Sequence, residues 1–283
     1  MSPVKFPISV VVIAKNEAAN IRRCIEALAW CEDVVVIDDH SVDDTARLAI
    51  ECGARVVPHR FESFARQRNW ALAHAALRHD WVLLLDADEV VTPELQRELE
   101  RVVPAAGVNL VGFRMCRKTM FMGSWLKYSD GFPVWIVRLV RVGRFRFEDS
   151  GHGEVPVPRV EGRLGTLSSP FLHYPFSKGL SDWIDRHNRY AQREAEREVR
   201  DSCASPWQDL WGGDRARRRQ SLRALSRRLP FRSLLRFLYQ YVMKGGFLDG
   251  RAGLTFSWLM AVYEGLIVLK RRELEQRQGE KTP

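Results

Sequence analysis

One stretch decides the fold: Trp81-Val82-Leu83-Leu84-Leu85-Asp86-Ala87-Asp88-Glu89, an aliphatic run that ends in acidic residues. Continuous aliphatic character, bounded here by Trp81 and Asp86, is typical of a strand buried on both faces, as in the centre of a parallel sheet. Such sheets bind their ligands beyond the carboxyl ends of the strands. Asp86 and Asp88 are therefore candidates for a ligand site.

The spacing of these two acids indicates a metal ion. Two carboxylates one residue apart repel each other, and a hard divalent cation with oxygen ligands relieves that repulsion. The predicted ion is Mn²⁺ or Mg²⁺, bound by Asp86 and Asp88 and completed by water and substrate phosphates. The alternative is that both acids merely begin the helix predicted over residues 92–103. Thr92 followed by Pro93 is a better start for that helix.

The first hundred residues predict repeated strand–helix units. Between residues 8 and 103 short apolar runs alternate with helical periodicity, which favours a parallel sheet. Right-handed crossovers then bring the carboxyl ends of the strands to one edge. The predicted strands cover residues 8–13, 34–37, 55–57 and 82–85. The predicted helices cover residues 16–28, 43 or 44 through 52, 64–77 and 92–103.

The pattern changes twice further along the chain. Residues 106–178 are rich in Gly and Pro and contain short β-like runs at 111–114, 135–140 and 145–147. From residue 181 onward the periodicity is helical, with long basic stretches. We predict a nucleotide-sugar-binding half over 1–105, an acceptor and catalytic half over 106–178, and a basic helical C-terminal region over 179–283.

Composition narrows the class of protein. The 283 residues are 46% apolar, which is enough for a folded core, and the formal charge of +9 predicts an anionic partner. Five cysteines without a close pair favour a reducing cytoplasm over a disulfide or zinc framework. The N-terminus lacks a signal-peptide pattern. No uninterrupted apolar run reaches the roughly 18 to 20 residues of a membrane span, because Glu264 divides the best candidate, residues 254–269.

Other strand exits of the predicted sheet also carry polar side chains. Asp38 follows the second strand, where its carboxylate can accept a hydrogen bond from a ring N–H of a base, or can act only as a helix-capping or turn residue. The predicted helix before the fourth strand carries Arg66, Gln67, Arg68 and Asn69, where a cation can meet pyrophosphate or a base carbonyl. A solvated helix face is the alternative for some of these residues. Asn16 and Glu17 follow the first strand, and helix capping explains them equally well. Their joint placement at one edge favours a binding site.

Three motifs together resemble a known enzyme family. They are Val-Val-Val-Ile-Ala-Lys-Asn-Glu at 10–17, Val-Ile-Asp-Asp-His-Ser at 36–41 and Leu-Asp-Ala-Asp-Glu at 85–89. In order and spacing they resemble the inverting glycosyltransferases of family 2. Within that family the chain is most similar to bacterial lipopolysaccharide core glucosyltransferases, and this likeness also reaches residues 241–253. The resemblance implies an α/β nucleotide-sugar-binding fold of the glycosyltransferase A type, with a mostly parallel central sheet and a C-terminal helical extension.

The resemblance also implies a divalent metal, Mn or Mg, and a UDP-sugar donor. In this reading Asp38 contacts the uracil and Arg68 contacts the base or the phosphates. Asp86 contacts the ribose or the metal, and Asp88 binds the metal. The predicted donor and metal site comprises Asn16, Glu17, Asp38, Arg68, Asp86 and Asp88.

An inverting transfer also needs a base on the acceptor side, within hydrogen-bond reach of the acceptor hydroxyl. The candidates are Glu154 and Asp149, in a segment that resembles the family's His-Glu pair but has Gly153 between His152 and Glu154. We favour Glu154 as the base. His173 is a further candidate near the metal, and a hydrogen-bonded structural histidine is its alternative.

The basic C-terminal region predicts contact with an anionic membrane surface. Residues 186–232 interleave arginines with leucines and aromatics, a composition that suits anionic lipid. A solvated face packed on the catalytic domain is the alternative.

The predicted function is transfer of a hexose, glucose in the first instance, from a UDP-sugar to a lipid-linked acceptor, lipopolysaccharide core heptose. We place the enzyme in the cytoplasm, peripheral on the inner face of the bacterial inner membrane. One alternative is transfer to another polysaccharide or carrier lipid. Another is a basic nucleic-acid-binding protein, suggested by the pI near 9.6 alone. The donor motifs favour a protein without a nucleic-acid partner.

Overall fold

A computed structural model describes residues 6–150, 153–201 and 231–279 and divides into two compact units. The first unit comprises Met1–Lys127 and Phe132–Gly179, and the second comprises Tyr128–Gly131 and Leu180–Pro283. His152 and most of the predicted basic surface, including residues 215–219, lie outside the described residues. The division of the chain at residues 105 and 178 stays a prediction.

Four parallel strands form the first half of the sheet in the first unit. They are β1 (Phe6–Ala14), β2 (Cys31–Asp38), β3 (Arg55–Pro58) and β4 (Trp81–Asp86). Their order is β3-β2-β1-β4, and all three pairings are parallel, as predicted. Aliphatic residues bury both faces of the sheet. On β4, Leu83 and Leu85 join the core on one face while Leu84 joins the core on the other.

The helices between these strands begin and end close to their predicted positions, with one exception. They are α1 (Ile21–Glu26), α2 (Thr45–Glu51), α3 (Phe64–His74) and α4 (Pro93–Val102). The Thr92 hydroxyl accepts the Leu95 N–H at the start of α4, as predicted. The predicted start of α1 at residue 16 is wrong. Asn16 has a left-handed backbone with φ of +52°, and a turn follows before Ile21.

The remaining strands of the first unit extend the sheet and add a hairpin. Strand β8 (Val134–Arg141) pairs antiparallel with β4 and with β6 (Leu110–Phe121). Strand β12 (Phe171–His173) pairs parallel with β6 and antiparallel with β5 (Glu89–Val90). The others are β7 (Ser124–Trp125) and β11 (Arg163–Thr166), which pair with β6, and β9 (Phe145–Ser150) and β10 (Gly153–Pro158), which form the separate hairpin.

The second unit is helical. Its elements are α5 (Gly179–Asp201), α6 (Arg232–Leu238), a π-helical turn (Tyr239–Met243), a 3₁₀ turn (Gly246–Asp249) and α7 (Gly250–Gly279). Arg232 joins three of them, because it donates to Glu198 of α5 at 2.9 Å and pairs with Glu264 of α7. The predicted class, an α/β sheet that is largely parallel followed by C-terminal helices, is confirmed.

One helical segment of the second unit departs from the sequence expectation about membranes. The stretch Gly246–Arg277 is long and apolar enough to cross a membrane, judged by length and composition alone. The interruption at Glu264 does not remove it from that class. However, 33% of its most apolar window is buried within the protein.

The motif at residues 246–250 acts as a clamp inside the second unit. The Asp249 carboxylate accepts the Tyr128 N–H at 3.0 Å, the Ser129 N–H at 2.7 Å and the Ser129 hydroxyl at 2.6 Å. Small residues let the turn approach α7, since a Cβ on Gly253 would lie 2.0 Å from the Gly246 carbonyl oxygen. The part of the sequence that extends the family resemblance beyond the sheet therefore has a structural role.

Candidate active site

The exits of β2 and β4 lie on either side of β1. Asp38 is paired with Ala14, and Asp86 is paired with Ile13, so the two acids flank the end of the same strand. Two inter-strand spacings separate them by about 10 Å. The structure therefore brings the predicted uracil-binding residue and the Asp86–Asp88 pair to one edge of the sheet.

Asp38 and Asn16 organise the loop at this edge. Asp38 is 5% exposed and accepts the Ser41 hydroxyl at 2.5 Å and the Ser41 N–H at 2.9 Å. Asn16 braces the same loop, because its N–H donates to the Ser41 hydroxyl and its side-chain oxygen accepts the Val42 N–H. Each carboxylate oxygen of Asp38 keeps a second lone pair, which can accept a hydrogen bond from a nucleobase.

Asp86 is held between two buried guanidinium groups. Its Oδ1 accepts from Arg68 at 2.8 Å, and its Oδ2 accepts from Arg138 at 2.7 Å. The same Arg138 nitrogen donates to Glu89 at 2.6 Å. Burial by itself would raise the pKa of Asp86, but Arg138 and Arg68 lower it below its ordinary value. Asp86 is therefore ionised at neutral pH, with a fixed orientation.

Asp88 faces an imidazole that the sheet brings to it. The pairing of β5 with β12 sets His173 opposite Glu89, and the Tyr174 N–H donates to the Asp88 carbonyl at 2.9 Å. His173 Nε2 then lies 3.5 Å from Asp88 Oδ2. Burial lowers the pKa of His173, but the Asp88 carboxylate more than offsets this and raises it.

The donor atoms of Asp88 and His173 fit a divalent cation. His173 Nε2 faces Asp88, while His173 Nδ1 is buried without a hydrogen-bond partner. One carboxylate and one imidazole leave most coordination positions to water and phosphate, as Mg²⁺ and Mn²⁺ prefer. Within the described ranges no group of three or more His, Cys, Asp or Glu residues could hold a metal. Asp86, the other predicted ligand, has each oxygen engaged by a guanidinium.

Glu17 belongs to the same electrostatic neighbourhood. Its carboxylate accepts from Asn20 at 2.6 Å and from Lys178 at 2.6 Å. Burial raises the pKa of Glu17 although Lys178 lowers it, and the negative charge of Asp88 raises it further. The side chains at the exits of β1 and β4 therefore interact electrostatically, as expected if both belong to one site.

Glu154, the favoured base, is joined to the Asp86 cluster by Arg68. Its Oε1 lies 2.7 Å from Arg68 Nε, while its Oε2 is buried without a hydrogen-bond partner. Burial raises the pKa of Glu154 and outweighs the opposing effect of Arg68. Asp149 lies directly across the β9–β10 hairpin from Glu154 and is exposed. Arg68 is thus an ionic bridge between Asp86 at the exit of β4 and Glu154 on β10.

Sequence reasoning missed two cations of this site. Arg138 had a usable signal, because it is a charged residue inside the otherwise apolar run Val134–Leu139 and is only 5% exposed. Lys178 had none. It follows β12 by several residues and meets Glu17 only because the chain returns to the exit of β1.

Comparison with known proteins identifies relatives of this chain. The family model described as glycosyl transferase family 2 matches residues 9–149, which include the predicted site residues other than Glu154 and the further candidate His173. The lipopolysaccharide core biosynthesis glycosyltransferase LpsC of Rhizobium meliloti (strain 1021) is 30% identical, over 69% of this chain and 73% of LpsC. An uncharacterized glycosyltransferase of Rickettsia felis is 38% identical, over 34% of this chain and only 33% of that protein.

Matches to this chain also occur among solved structures. The crystal structure of glucosyl-3-phosphoglycerate synthase from Mycobacterium tuberculosis, in complex with Mn²⁺, uridine diphosphate and glucosyl-3-phosphoglycerate, is 27% identical with a TM-score of 0.33. That match covers 40% of this chain and 44% of the synthase.

Proposed function

The chain belongs to glycosyltransferase family 2, and we propose that it transfers a hexosyl group, glucose in the first instance, from a UDP-sugar to a lipid-linked oligosaccharide. One observation carries this proposal: Asp38, Asp86 and Asp88 lie at one edge of the sheet, and Arg68 links Asp86 to Glu154 on the β9–β10 hairpin. The similarity to LpsC supports lipopolysaccharide core heptose as the acceptor.

In the proposed complex the donor is held by carboxylates that are already oriented. Asp38 accepts a ring N–H of the uracil, and Asp86 accepts a ribose hydroxyl with lone pairs that its guanidinium partners leave available. Arg68 and Arg138 keep Asp86 ionised and fixed, so little reorganisation accompanies binding. Arg68 is 1% exposed and thus acts on the nucleotide through its carboxylate partners.

Asp88 and His173 are the residues that would hold a divalent cation, Mn²⁺ or Mg²⁺. Such an ion neutralises the charge that grows on the diphosphate as it leaves. The side chains of Asp88 and His173 supply one oxygen and one nitrogen, and the sheet pairing of β5 with β12 fixes their separation before any ligand binds.

Glu154 is the proposed base. It takes the proton of the acceptor hydroxyl while that oxygen attacks the anomeric carbon from the face opposite the diphosphate, which inverts the configuration. The partnerless Oε2 of Glu154 is suited to accept this proton, and a raised pKa brings its basicity closer to neutral pH. Asp149 is the alternative across the hairpin.

We further propose that the enzyme works in the cytoplasm, at the inner face of the bacterial inner membrane. A water-soluble UDP-sugar and a lipid-anchored acceptor meet at such a surface. The formal charge of +9 favours approach to anionic lipid headgroups.

Titration calorimetry with uridine diphosphate, with and without MnCl₂, tests the donor and metal assignments apart from activity. We expect binding that strengthens with Mn²⁺, and loss of that increment in Asp88→Asn. Asp44→Asn is the matched control, because Asp44 is an exposed acid at the N-cap of α2 that pairs with Arg47. An Asp88→Asn protein that keeps the full Mn²⁺ increment would refute the metal site. Mass analysis with a panel of UDP-sugars and truncated core acceptors then identifies the hexose and the acceptor.

A further inference from the structure

Large apolar side chains stand exposed on the last two helices of the second unit. On α7, Leu254, Trp258 and Val262 follow one another at four-residue spacing, with exposed fractions of 45%, 62% and 47%. Residues with this spacing lie on one side of a helix. Leu269 continues the series at 62% exposure. On α6 and the π-helical turn the exposed members are Leu234, Leu235, Leu238, Tyr239, Val242 and Met243.

Aromatic rings join these two sets into one surface. Phe237 of α6 meets Trp258 of α7 at a ring-centre distance of 6.0 Å. Phe237 also stacks with Tyr241 at 5.3 Å, and Tyr241 meets Phe247 of the 3₁₀ turn at 6.3 Å. We call this surface the apolar face; it comprises the exposed residues of α6, the π-helical turn and α7 together with these rings.

The composition of the apolar face favours lipid as its occupant. Contiguous exposed apolar surface of this kind marks an interaction site, whereas isolated apolar residues do not. Cations border it at both ends of α7, with exposed Arg251 before Leu254 and Lys270 and Arg272 after Leu269. Trp258 and Tyr239 have the amphipathic rings that bilayer interfaces accommodate. An apolar stripe with cationic ends is complementary to an anionic bilayer surface.

The same observations favour an in-plane helix over a membrane-spanning one. A single spanning helix must offer apolar side chains to lipid on all sides, but α7 packs one side against its own unit, with Phe256 and Leu259 buried. Glu264, midway along α7, is paired with Arg232 of α6. Cations at both ends would also place charge on each side of a membrane, against the usual asymmetry.

We propose that the apolar face of α6 and α7 inserts into the headgroup region of an anionic bilayer and holds the enzyme at the membrane. The role of this contact in the reaction rests on the proposed lipid-linked acceptor. Lipid binding by the apolar face itself requires neither donor nor acceptor. This surface differs from the basic stretch at residues 202–230 and lies wholly within the described residues.

Co-sedimentation of the full chain with vesicles tests this proposal. The vesicles are phosphatidylcholine alone or with phosphatidylglycerol, and the variant is Trp258→Glu with Val262→Glu. We expect the unmodified chain to bind anionic vesicles, with partitioning reduced at least about tenfold in the double variant. Ile50→Glu on α2 is the matched control, because Ile50 is exposed by 62%, as Trp258 is. It should bind like the unmodified chain.

Two further measurements keep the result unambiguous. Calorimetry with uridine diphosphate and Mn²⁺ should give the same affinity for all three proteins, which shows that the variants fold and separates membrane contact from the donor site. Brominated-lipid quenching of tryptophan fluorescence should occur in the unmodified chain and decrease in Trp258→Phe.

Three outcomes would overturn the proposal. One is equal sedimentation of the double variant and the unmodified chain. Another is the absence of quenching in the unmodified chain. The third is light scattering that shows a dimer abolished by the double substitution without any vesicle binding, since the apolar face would then contact a second copy of the chain.

Discussion

The edge of the sheet and the clamp in the helical unit both centre on an aspartate, and they use it differently. Asp86 lies between two buried guanidinium groups that fix its charge. Asp249 accepts neutral N–H and O–H groups and holds the Tyr128–Ser129 backbone. Both residues lie in segments that resemble the same family. The family resemblance thus covers a cluster of charged side chains in one unit and a structural contact in the other, and the surrounding donors distinguish the two.

Loss of the proposed base gives the largest effect. Glu154→Gln keeps the shape of the side chain but cannot take a proton, so we expect the turnover rate to fall by about 10³-fold. Donor affinity should change little, because the link from Arg68 to Asp86 remains. Pre-steady-state product formation measures the chemical step directly. Asp149→Asn is the paired control and should retain most activity. If the two variants exchange these results, Asp149 is the base.

Removal of the Arg138 guanidinium tests how much the Asp86 cluster contributes to the stability of the first unit. Arg138→Met leaves the buried Glu89 and the partly exposed Asp86 without their common partner, so we expect the unfolding free energy to fall by about 3–5 kcal/mol. Arg141→Met, on the same strand, removes only a half-buried cation that lies over Trp81 and should cost far less. Denaturant unfolding measures both. Equal losses would show that the Asp86 cluster contributes nothing special to stability.

Loss of the Asp249 hydrogen bonds should lower the unfolding free energy and leave nucleotide binding unchanged. Asp249→Ala leaves the N–H groups of Tyr128 and Ser129 without their acceptor, and we expect a loss of about 2 kcal/mol in unfolding free energy. Uridine diphosphate affinity, measured on folded protein well below the unfolding temperature, should not change. An Asp249→Ala protein with normal stability but impaired nucleotide binding would reverse the assignment and make Asp249 part of the site.

The sequence predicted the positions of the acids at the strand exits better than those of their cationic partners. Continuous aliphatic runs mark parallel strands because both faces are buried, and Asp38, Asp86 and Asp88 follow from the ends of those runs. The family match and the largely parallel sheet with its C-terminal helices confirm the predicted glycosyltransferase A-type fold class.

The cationic partners of these acids could not be predicted from the sequence, because tertiary contacts bring them together. Arg138 reaches Asp86 through the antiparallel insertion of β8 beside β4, and His173 reaches Asp88 through the β5–β12 pairing. Neither pairing leaves a periodic signal in the sequence. The late start of α1 has a similar cause, since Asn16 is held in a left-handed conformation beside Ser41 and Val42.

Asp33 lies at the opposite end of β2 from Asp38 and is a third aspartate for this comparison. Its substitution should have the smallest effect of those predicted here. Burial raises the pKa of Asp33, but hydrogen bonds from the Ser9 hydroxyl, the Arg78 N–H and Arg55 more than offset it, so the pKa is lowered. A lowered pKa in the folded state stabilises the protein above the unfolded value, near 3.8, and this contribution is lost as the pH falls below it.

The unfolding free energy should therefore decrease below about pH 4 less steeply in Asp33→Asn than in the unmodified chain. Urea unfolding between pH 3 and pH 7 measures the two slopes. If they coincide, Asp33 is not held ionised by its donors. Asp33 would then differ in its titration from Asp86, whose guanidinium partners lower its pKa.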